Sequence, residues 1–274
     1  MTDTVTKVEI RAFQELVWDF YRNHARDLDW RHDPSPYQVF VSEVMLQQTQ
    51  VARVQVKYPE WMARFPDFES LAGASVGDVV TAWQGMGYNR RALWLQRAAR
   101  MIVDDFDGQL PQDPAVLVTL PGIGVNTAGS IVAFAYDAPV VFIETNIRRV
   151  FIHHFFPEDE GKSEPVADAQ LLPLIEAALD RESPREWYYA LMDYGSALAK
   201  TVPNPNRRSK HYVTQSKFEG SLRQIRGQVL KSLSEGPRTT RQLGIADDRL
   251  DAVLEAMTRE GFIVNHDETY CLAE

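Results

Sequence analysis

Two glutamates occupy positions where a carboxyl group could do acid–base chemistry. Glu43 lies inside the apolar helical pattern 40–46, and Glu144 follows the apolar extended run 139–143. Poor solvation beside apolar neighbours favours a protonated carboxyl, which suits Glu43 to the part of a general acid. Glu144 opens a helical pattern, where an acid is stabilised by the helix dipole. A solvent-edge glutamate and a helix-capping acid are the ordinary alternatives, so both residues need a further motif to support a chemical role.

The segment 120–129 is that motif. It begins Leu-Pro-Gly-Ile-Gly between two helical patterns, and Gly122 and Gly124 permit backbone angles closed to residues with a Cβ atom. Its amides can point outward at a helix N-terminus, which attracts a phosphate. No Lys-Ser or Lys-Thr follows the last glycine and no strand precedes the turn, which disfavours nucleotide-binding loops. The pattern predicts a helix–hairpin–helix that holds a DNA backbone without reading bases.

A protein that holds DNA and presents two carboxylates can break a glycosidic bond. One acid would protonate the leaving base, and the other, ionised, would stabilise the cationic sugar. The base must first leave the stack. Gln47, Gln48 and Tyr88 suit filling the gap and contacting the opposite base, although ordinary surface side chains would look the same.

The composition fits a globular protein, with 45% hydrophobic and 24% charged residues among 274. The only cysteine, Cys271, excludes an internal disulfide and any zinc or iron–sulfur site ligated by cysteines of this chain. We expect a cytoplasmic, nucleoid-associated protein, since no secretion signal or membrane-length apolar run is seen. The net charge is −9, yet residues 200–231 carry eight Lys or Arg and one acid, a candidate DNA-facing strip.

Nearly every segment has helical periodicity, which predicts a mainly all-α protein of two lobes. One long helix is expected from Tyr37 to Val54. We expect the catalytic groups to meet in the cleft between the lobes. The predicted divisions are a lobe of residues 1–29 with 136–205, a six-helix lobe of residues 30–135 with the helix–hairpin–helix at 113–134, a basic linker at 206–220, and a module at 221–274.

The module at residues 221–274 has three helical patterns followed by two alternating ones around a His266-Asp267 turn, which is typical of a winged helix. Its third helical pattern, 247–260, carries Asp247, Asp248, Asp251 and Glu255 against Arg249 and Arg259, which suits a DNA groove poorly. We therefore favour a packing role or a protein partner for this module over DNA reading.

Several motifs together resemble the helix–hairpin–helix (HhH-GPD) DNA glycosylases and, within them, the MutY-type adenine glycosylases. They are Leu28-Asp29-Trp30-Arg31, Pro36-Tyr37, the run 42–51, Trp83 with 85–88, and the hairpin 120–129, within a resemblance that covers about residues 13–199. The resemblance implies that Glu43 protonates adenine and assists water, that Asn146 belongs to the catalytic group with Glu144, and that Gln48 and Tyr88 touch the base opposite.

The resemblance also implies two larger sets of residues. The base pocket would be lined by Leu28, Trp30, Arg31, Val51, Asn126 and Tyr189. DNA would be bound by Gln47, Gln48, Tyr88, Arg91, Gly122, Gly124, Arg207, Arg208 and Lys210. The family's hairpin also binds a monovalent cation, Na⁺ or K⁺, through carbonyls that here would belong to Val118, Leu120 and Ile123. No other cofactor is expected.

The chain departs from the family pattern at several positions. Glu144 stands where the family has aspartate, Tyr189 where it has Glu or Gln, and Asn126 where lyase members carry the lysine that forms a Schiff base. The basic loop 200–208 replaces the four cysteines of an iron–sulfur cluster, and the short tail stands where a Nudix-like reader of 8-oxoguanine is usual. Strand cleavage through a Schiff base is therefore not expected.

The sequence thus predicts a monomeric, monofunctional DNA N-glycosylase that excises adenine opposite 8-oxoguanine or guanine in double-stranded DNA. Two alternatives stay open. The same fold could excise uracil or thymine from mispairs, which Tyr189 motivates. A non-catalytic mismatch or lesion sensor could recruit a protein partner through the winged helix, which Glu144 motivates.

Overall fold

The computed structural model describes residues 5–157 and 164–274. These residues form two compact units. The first unit takes the described residues of Met1–Pro36, Gln112–Ala115 and Gly124–Thr214, and the second takes Tyr37–Pro111, Val116–Ile123 and Gln215–Glu274. The predicted lobe boundaries stay predictions.

Helices dominate the described part of the chain, as predicted. In chain order they are α1 (Lys7–His24), α2 (Pro36–Leu46), α3 (Val51–Arg64), α4 (Phe68–Gly73), α5 (Val76–Ala82), α6 (Arg90–Phe106), α7 (Pro114–Leu117), α8 (Val125–Tyr136), α9 (Thr145–Phe155), α10 (Asp168–Ala178), α11 (Pro184–Thr201), α12 (Leu222–Leu233), α13 (Thr240–Leu243) and α14 (Leu250–Glu260). Short 3-10 turns lie at Asp29–Arg31 and Pro205–Arg208, and the strands are β1 (Arg238–Thr239), β2 (Ile263–His266) and β3 (Thr269–Leu272). No helix in the described ranges combines the length and the apolar character needed to cross a membrane.

The first unit is built on helices α1, α9 and α11, which pack on one another directly. An aromatic cluster joins them, because the ring of Phe13 meets Phe151, Phe155 and Trp187 edge-on at centroid distances of 5.1–6.1 Å. Such edge-to-face pairs stabilise a core beyond simple burial of apolar area. Thr6 is the N-cap of helix α1, and its side chain forms a reciprocal capping box with Glu9.

The second unit packs α4 and α5 against α6 and joins the C-terminal module to the same core. Val80 of α5 and Leu93 of α6 belong to one buried cluster with Ile225, Val229 and Met257 of the module. The amide of Gly77 also donates to the carbonyl of Ala273 at 3.0 Å. The module is therefore packed onto the helices of this unit.

The C-terminal module has the arrangement predicted for a winged helix. Helices α12, α13 and α14 precede the hairpin of β2 and β3, in which Ile263 pairs with Leu272 and His266 with Thr269. The strand β1 lies between α12 and α13 and completes an antiparallel sheet of order β1-β3-β2. The sequence pattern did not indicate β1, a short third strand that pairs with β3.

The single helix predicted from Tyr37 to Val54 is wrong. Helix α2 ends at Leu46 and α3 begins at Val51, and between them Gln48 takes a left-handed φ of 53°. The break leaves backbone carbonyls at the end of α2 without helical hydrogen-bond partners. The Arg91 guanidinium stabilises it by donating to the carbonyls of Val44, Met45 and Gln47. The apolar periodicity of this segment could not reveal a partner so distant in sequence.

Candidate active site and nucleic-acid interface

Glu144 caps helix α9. Its Oε1 accepts hydrogen bonds from the backbone amides of Asn146 at 2.7 Å and Ile147 at 2.9 Å. Glu144 is therefore a helix-capping acid, one of the alternatives that the sequence indicated. A chemical role stays possible as well, because these two amides bind only Oε1 and leave Oε2 to other partners. Burial raises the pKa of Glu144, while the two backbone hydrogen bonds and the charges of Arg149 and Arg148 oppose that rise. Every hydrogen bond named here is one the carboxylate accepts, which suits its ionised form.

Asn146 and Arg149 support the start of α9. The Asn146 side-chain amide lies 3.4 Å from Oε2 of Glu144, and its Oδ1 accepts a hydrogen bond from Arg149 at 2.6 Å. Arg149 also donates to the carbonyl of Gly195 on α11 at 2.9 Å. A Cβ atom on Gly195 would lie 2.6 Å from the Asn146 carbonyl, so only glycine lets α11 approach this closely. Neither Arg149 nor Gly195 lies in a motif that predicted this role.

The basic loop 200–208 is held along α9 by hydrogen bonds. Asn206, which is buried, donates to the carbonyl of Thr145 at 3.0 Å, and Arg208 donates to the carbonyl of Phe156 at the other end of the helix. A parallel bridge between Val166 and Ser209 holds the loop further. Arg207 and Lys210 are exposed, whereas Arg208 is half-buried. Two of the three predicted basic residues thus face solvent, where a phosphate could reach them.

Two residues of the predicted base pocket, Arg31 and Tyr189, lie side by side in the first unit, where Arg31 binds a buried carboxylate. Asp193 is 2% exposed and binds both guanidinium nitrogens of Arg31 at 2.8 and 2.9 Å. Arg26 contacts the same carboxylate at 2.6 Å. The Arg31 guanidinium lies 4.3 Å from the ring centre of Tyr189, and its Nε finds no hydrogen-bond partner among the described residues. The arrangement fixes Arg31 and leaves a buried donor for a ligand.

The other pocket residues of this unit have distinct surroundings. Leu28 and Trp30 are buried beside the 3-10 turn Asp29–Arg31. Tyr189 stacks on Phe134 with ring centres 4.7 Å apart. Asn126 is exposed at the start of α8, where its Oδ1 accepts the backbone amide of Ile143 at 3.3 Å. This bond connects the hairpin helix to the extended segment that delivers Glu144.

Glu43 and Val51 lie in the second unit. Glu43 is half-buried on α2, between the buried residues Ser42 and Val44, and Val51 is the first residue of α3. The predicted role of Glu43 as the general acid stays a prediction.

Arg91 organises the loops of the second unit. Besides the carbonyls that follow α2, its guanidinium binds the Thr49 hydroxyl at 2.9 Å and the carbonyl of Gly87 at 3.1 Å. Burial lowers the pKa of Arg91 to about 10, so the side chain stays charged at neutral pH. Arg91 is only 4% exposed. Its hydrogen bonds hold the loop of Gln48 and the loop of Tyr88 together, a role that the sequence did not indicate. Its direct contact with DNA stays a prediction.

Tyr88 and Gln48 have the conformations of residues held at a turn. Both have left-handed backbones, with φ of 47° and 53°. The Tyr88 hydroxyl accepts hydrogen bonds from Gln215 at 2.5 Å and Arg223 at 2.7 Å. Gln47 donates to the carbonyl of Gly122 at 3.3 Å, which ties this loop to the hairpin.

Of the two hairpin glycines, Gly122 alone takes a backbone that a Cβ atom would strain, since Gly124 has an ordinary φ of −92°. Gly122 has a φ of 79°, and a Cβ atom there would lie 2.9 Å from the ring of Trp94. Gly124 is the N-cap of α8 and supplies no side chain to its first amides. Amides in that position are donors suited to a phosphate oxygen.

The predicted cation ligands lie in the same turn. Val118 is exposed, whereas Leu120 and Ile123 are buried, and the Leu120 carbonyl accepts the amide of Ile123 at 3.2 Å. A carbonyl oxygen has two lone pairs, so one stays available, and carbonyl oxygens suit Na⁺ or K⁺. The donor chemistry therefore fits a monovalent cation. Within residues 5–157 and 164–274 no cluster of three His, Cys, Asp or Glu side chains could hold a metal ion.

Comparison with known proteins places this site in a family. A family model described as HhH-GPD superfamily base excision DNA repair protein matches residues 41–174. A protein of Mycobacterium tuberculosis named adenine DNA glycosylase is 35% identical, over 90% of this chain and 88% of its own length. The chain belongs to the adenine DNA glycosylase family of the HhH-GPD superfamily.

Two further comparisons agree with that assignment. The adenine DNA glycosylase of Mycolicibacterium smegmatis is 31% identical, over 93% of both chains. A solved structure of a thermostable thymine-DNA glycosylase superposes with a TM-score of 0.63 at 20% identity, covering 74% of this chain and 93% of that one, a likeness that shows the fold alone. The predictions of family and fold class are confirmed.

The structure distributes the predicted residues of this glycosylase between its two units. The first unit holds Leu28, Trp30, Arg31, Gly124, Asn126, Glu144, Asn146, Tyr189, Arg207, Arg208 and Lys210. The second holds Glu43, Gln47, Gln48, Val51, Tyr88, Arg91, Val118, Leu120, Gly122 and Ile123. Asp193 and Asn206, like Arg149 and Gly195, are supporting residues that sequence reasoning missed. Asp193 lies one helical turn after the predicted pocket residue Tyr189 on α11, a spacing that could have indicated it.

Proposed function

We propose that this protein is a monofunctional adenine DNA glycosylase of base excision repair that removes adenine opposite 8-oxoguanine or guanine. The observation that carries the proposal is the Glu144 carboxylate, which two backbone amides fix at the start of α9 in a chain of the adenine glycosylase family. Double-stranded DNA is the partner, and the protein acts as a monomer in the cytoplasm.

The reaction needs one protonated and one ionised carboxyl group. Glu43 donates its proton to the flipped adenine, and the electrons of the glycosidic bond leave with the base. The sugar becomes an oxocarbenium ion, which the negative charge of Glu144 stabilises. Water then attacks C1′ and gives a proton to the Glu43 carboxylate, which restores the starting state. The products are free adenine and an abasic site.

Strand cleavage does not accompany excision in this proposal. A lyase step requires an amine that forms a Schiff base with C1′, and Asn126 has only an amide at that position. The amide oxygen of Asn126 instead accepts a backbone hydrogen bond from Ile143. Alkali is therefore needed to break the strand at the abasic site.

DNA is held by the hairpin and by the basic loop. The uncapped amides after Gly124 bind one phosphate, the hairpin carbonyls hold a monovalent cation, and Arg207 and Lys210 contact the backbone nearby. These contacts position the duplex and carry no sequence information.

A second candidate function is excision of uracil or thymine from mispairs. Tyr189 favours it, because its ring fills the place beside Arg31 where the family carries a Glu or Gln side chain. A tyrosine offers a stacking face and a single hydroxyl, so the pocket loses a carboxyl or amide that could read adenine.

A panel of duplexes tests the proposal. Single-turnover reactions would use A opposite 8-oxoguanine, A opposite G, A opposite C, U opposite G and T opposite G, each followed by alkali. We expect cleavage only in the first two. Release of a base from the uracil or thymine duplexes alone would favour the second candidate function. Tight binding to a duplex without release of any base would indicate a non-catalytic sensor.

A further inference from the structure

A chain of two hydrogen bonds leads from the basic loop to Glu144 through a single peptide group. The side-chain amide of Asn206 donates to the carbonyl of Thr145 at 3.0 Å. The N–H of the same peptide group belongs to Asn146, and it donates to Oε1 of Glu144 at 2.7 Å, the shorter of the two bonds that cap α9. Asn206 and Glu144 therefore act on opposite ends of one peptide group.

Asn206 is fixed in place by the 3-10 turn Pro205–Arg208. Its backbone amide donates to the Asn204 side chain at 3.2 Å, and its carbonyl accepts the amide of Ser209 at 3.0 Å. The residue is 5% exposed, and its Oδ1 finds no hydrogen-bond partner among the described residues. Buried polar groups are normally satisfied, so the donor to Thr145 is what this side chain contributes.

The bond from Asn206 should strengthen the bond that Glu144 accepts. A hydrogen bond to a peptide carbonyl polarises the group and strengthens the one donated by its N–H, by roughly 10–30%. Burial raises the pKa of Glu144, and the hydrogen bond from the Asn146 amide opposes that rise. A stronger bond at this amide therefore favours the ionised carboxylate.

Charged side chains also surround this segment. They include Arg148 and Arg149 of α9, Asp168 of α10, Asp193 of α11, and Arg207, Arg208 and His211 in and after the basic loop. The two arginines of α9 oppose the rise in the pKa of Glu144. Asp168 binds Arg148 at 2.7 Å and lies 3.8 Å from His211. An uncharged substitution in the 3-10 turn leaves all of these charges in place, so its effect on Glu144 can be measured separately.

We propose that Asn206 is a positioning residue of the excision reaction, which keeps the Glu144 carboxylate ionised and fixed at the start of α9 through the Thr145–Asn146 peptide. The basic loop then has a function inside the protein besides any contact with DNA. The proposal rests on the proposed function for the part that Glu144 plays in catalysis. The ionisation of Glu144 can nevertheless be measured in protein that releases no base.

A titration of Glu144 tests the proposal directly. The full chain, labelled with ¹³C at the glutamate side-chain carboxyls, would be titrated by NMR, and the Glu144 signal would be identified by its absence from Glu144→Gln. We expect the Glu144 titration in Asn206→Ala to have its midpoint at a higher pH than in the wild type, because the peptide has lost a donor. An unchanged midpoint would overturn the proposal.

The pH dependence of excision provides a second readout. The single-turnover rate of Asn206→Ala, divided by that of the wild type, should be about threefold lower on the acidic limb than at pH 8. A ratio that is the same at every pH would mean a merely structural role and would overturn the proposal. Excision absent from both proteins would contradict the proposed function, and the NMR titration would still decide the role of Asn206.

Two further variants complete the experiment. Asn206→Asp keeps the shape of the side chain, but an ionised carboxylate cannot donate, so the Glu144 midpoint should again rise. This variant decides the question if Asn206→Ala does not fold. Val17→Ala shortens a fully buried side chain of α1, and we expect it to lower stability without moving the midpoint. Equal movement in Val17→Ala and Asn206→Ala would mean a general loosening of the unit and would overturn the proposal.

Discussion

The extra methylene of Glu144, relative to an aspartate, decides which donors its carboxylate can reach. An aspartate N-cap normally accepts the amides of the second and third helical residues, and Glu144 accepts those same two amides. The longer side chain has therefore been accommodated without losing the cap. Its carboxylate should still face the reacting sugar from the start of α9.

Two substitutions of Glu144 distinguish the effect of its charge on the excision rate from the effect of its side-chain length. We expect Glu144→Gln to slow single-turnover excision by about 100-fold or more, since an amide cannot stabilise the cationic sugar. Glu144→Asp keeps both the charge and the cap, so its rate should stay within about tenfold of the wild type. Comparable losses in both variants would show that the charge of Glu144 plays no part.

The pH profile of excision should reflect the environment of Glu144. Burial raises its pKa above the ordinary value of 4.5, so the group takes up its proton at a higher pH than a solvated glutamate does. In the proposed mechanism only the ionised form stabilises the sugar cation, so we expect the rate to fall on acidification while the pH is still above 4.5. A single-turnover rate that stays constant down to pH 4.5, in protein shown by circular dichroism to be folded, would contradict this assignment.

Asp193 illustrates a residue whose importance the sequence concealed. Its partners Arg26 and Arg31 are 167 and 162 positions away, and only the fold brings the three together. Asp193→Asn would leave two partly buried guanidinium groups with weaker acceptors. We expect the free energy of unfolding to fall by about 3 kcal/mol, measured by urea denaturation. A change below about 0.5 kcal/mol would mean that the cluster contributes little to folding.

Among the secondary-structure elements, the packing of α11 and the basic loop against the start of α9 holds Glu144 in place. Helix α11 approaches the Asn146 backbone at Gly195, and the loop residue Asn206 binds the carbonyl of Thr145. Both contacts hold the turn from which Glu144 projects. A shift of α11 should therefore affect catalysis as well as stability.

A single methyl group tests that packing. Gly195→Ala would place a Cβ atom 2.6 Å from the Asn146 carbonyl, so the helices must separate. We expect a loss of about 1–3 kcal/mol in stability by urea denaturation, together with slower excision. Gly227→Ala is the matched control, since a Cβ atom there meets nothing within 4 Å in a helix. It should be neutral or slightly stabilising, and equal effects of the two changes would contradict the packing argument.

The sequence predicted most elements because each has its own local signal. The helices and strands of the winged-helix module and the two helices of the hairpin follow from periodicity, caps and glycines, and the structure contains them. The break after Leu46 was missed because its cause is Arg91, a residue distant along the chain that binds the freed carbonyls. The anchoring of the basic loop by Asn206 was missed for the same reason.

Charge distribution matters most at the scale of the whole molecule. A net charge of −9 opposes association with DNA, so binding must depend on local basic groups. Arg207 and Lys210 are exposed in the loop fastened to α9. Affinity for DNA should consequently fall steeply as salt is raised.

The salt dependence of binding should identify those contacts. We expect Arg207→Ala and Lys210→Ala each to reduce the slope of log K against log salt concentration by about one. Arg11→Ala, an exposed arginine on α1, serves as the control and should leave the slope unchanged. Equal slopes for all three variants and the wild type would remove the basic loop from the DNA interface.

The most direct test of the account is the release of free adenine from a duplex carrying A opposite 8-oxoguanine, followed by chromatography under single-turnover conditions. Wild type and Glu43→Gln would be compared side by side at equal, saturating enzyme. The account predicts stoichiometric adenine from the wild type and a loss of about 1,000-fold or more in the variant. Adenine release by Glu43→Gln at the wild-type rate would contradict it.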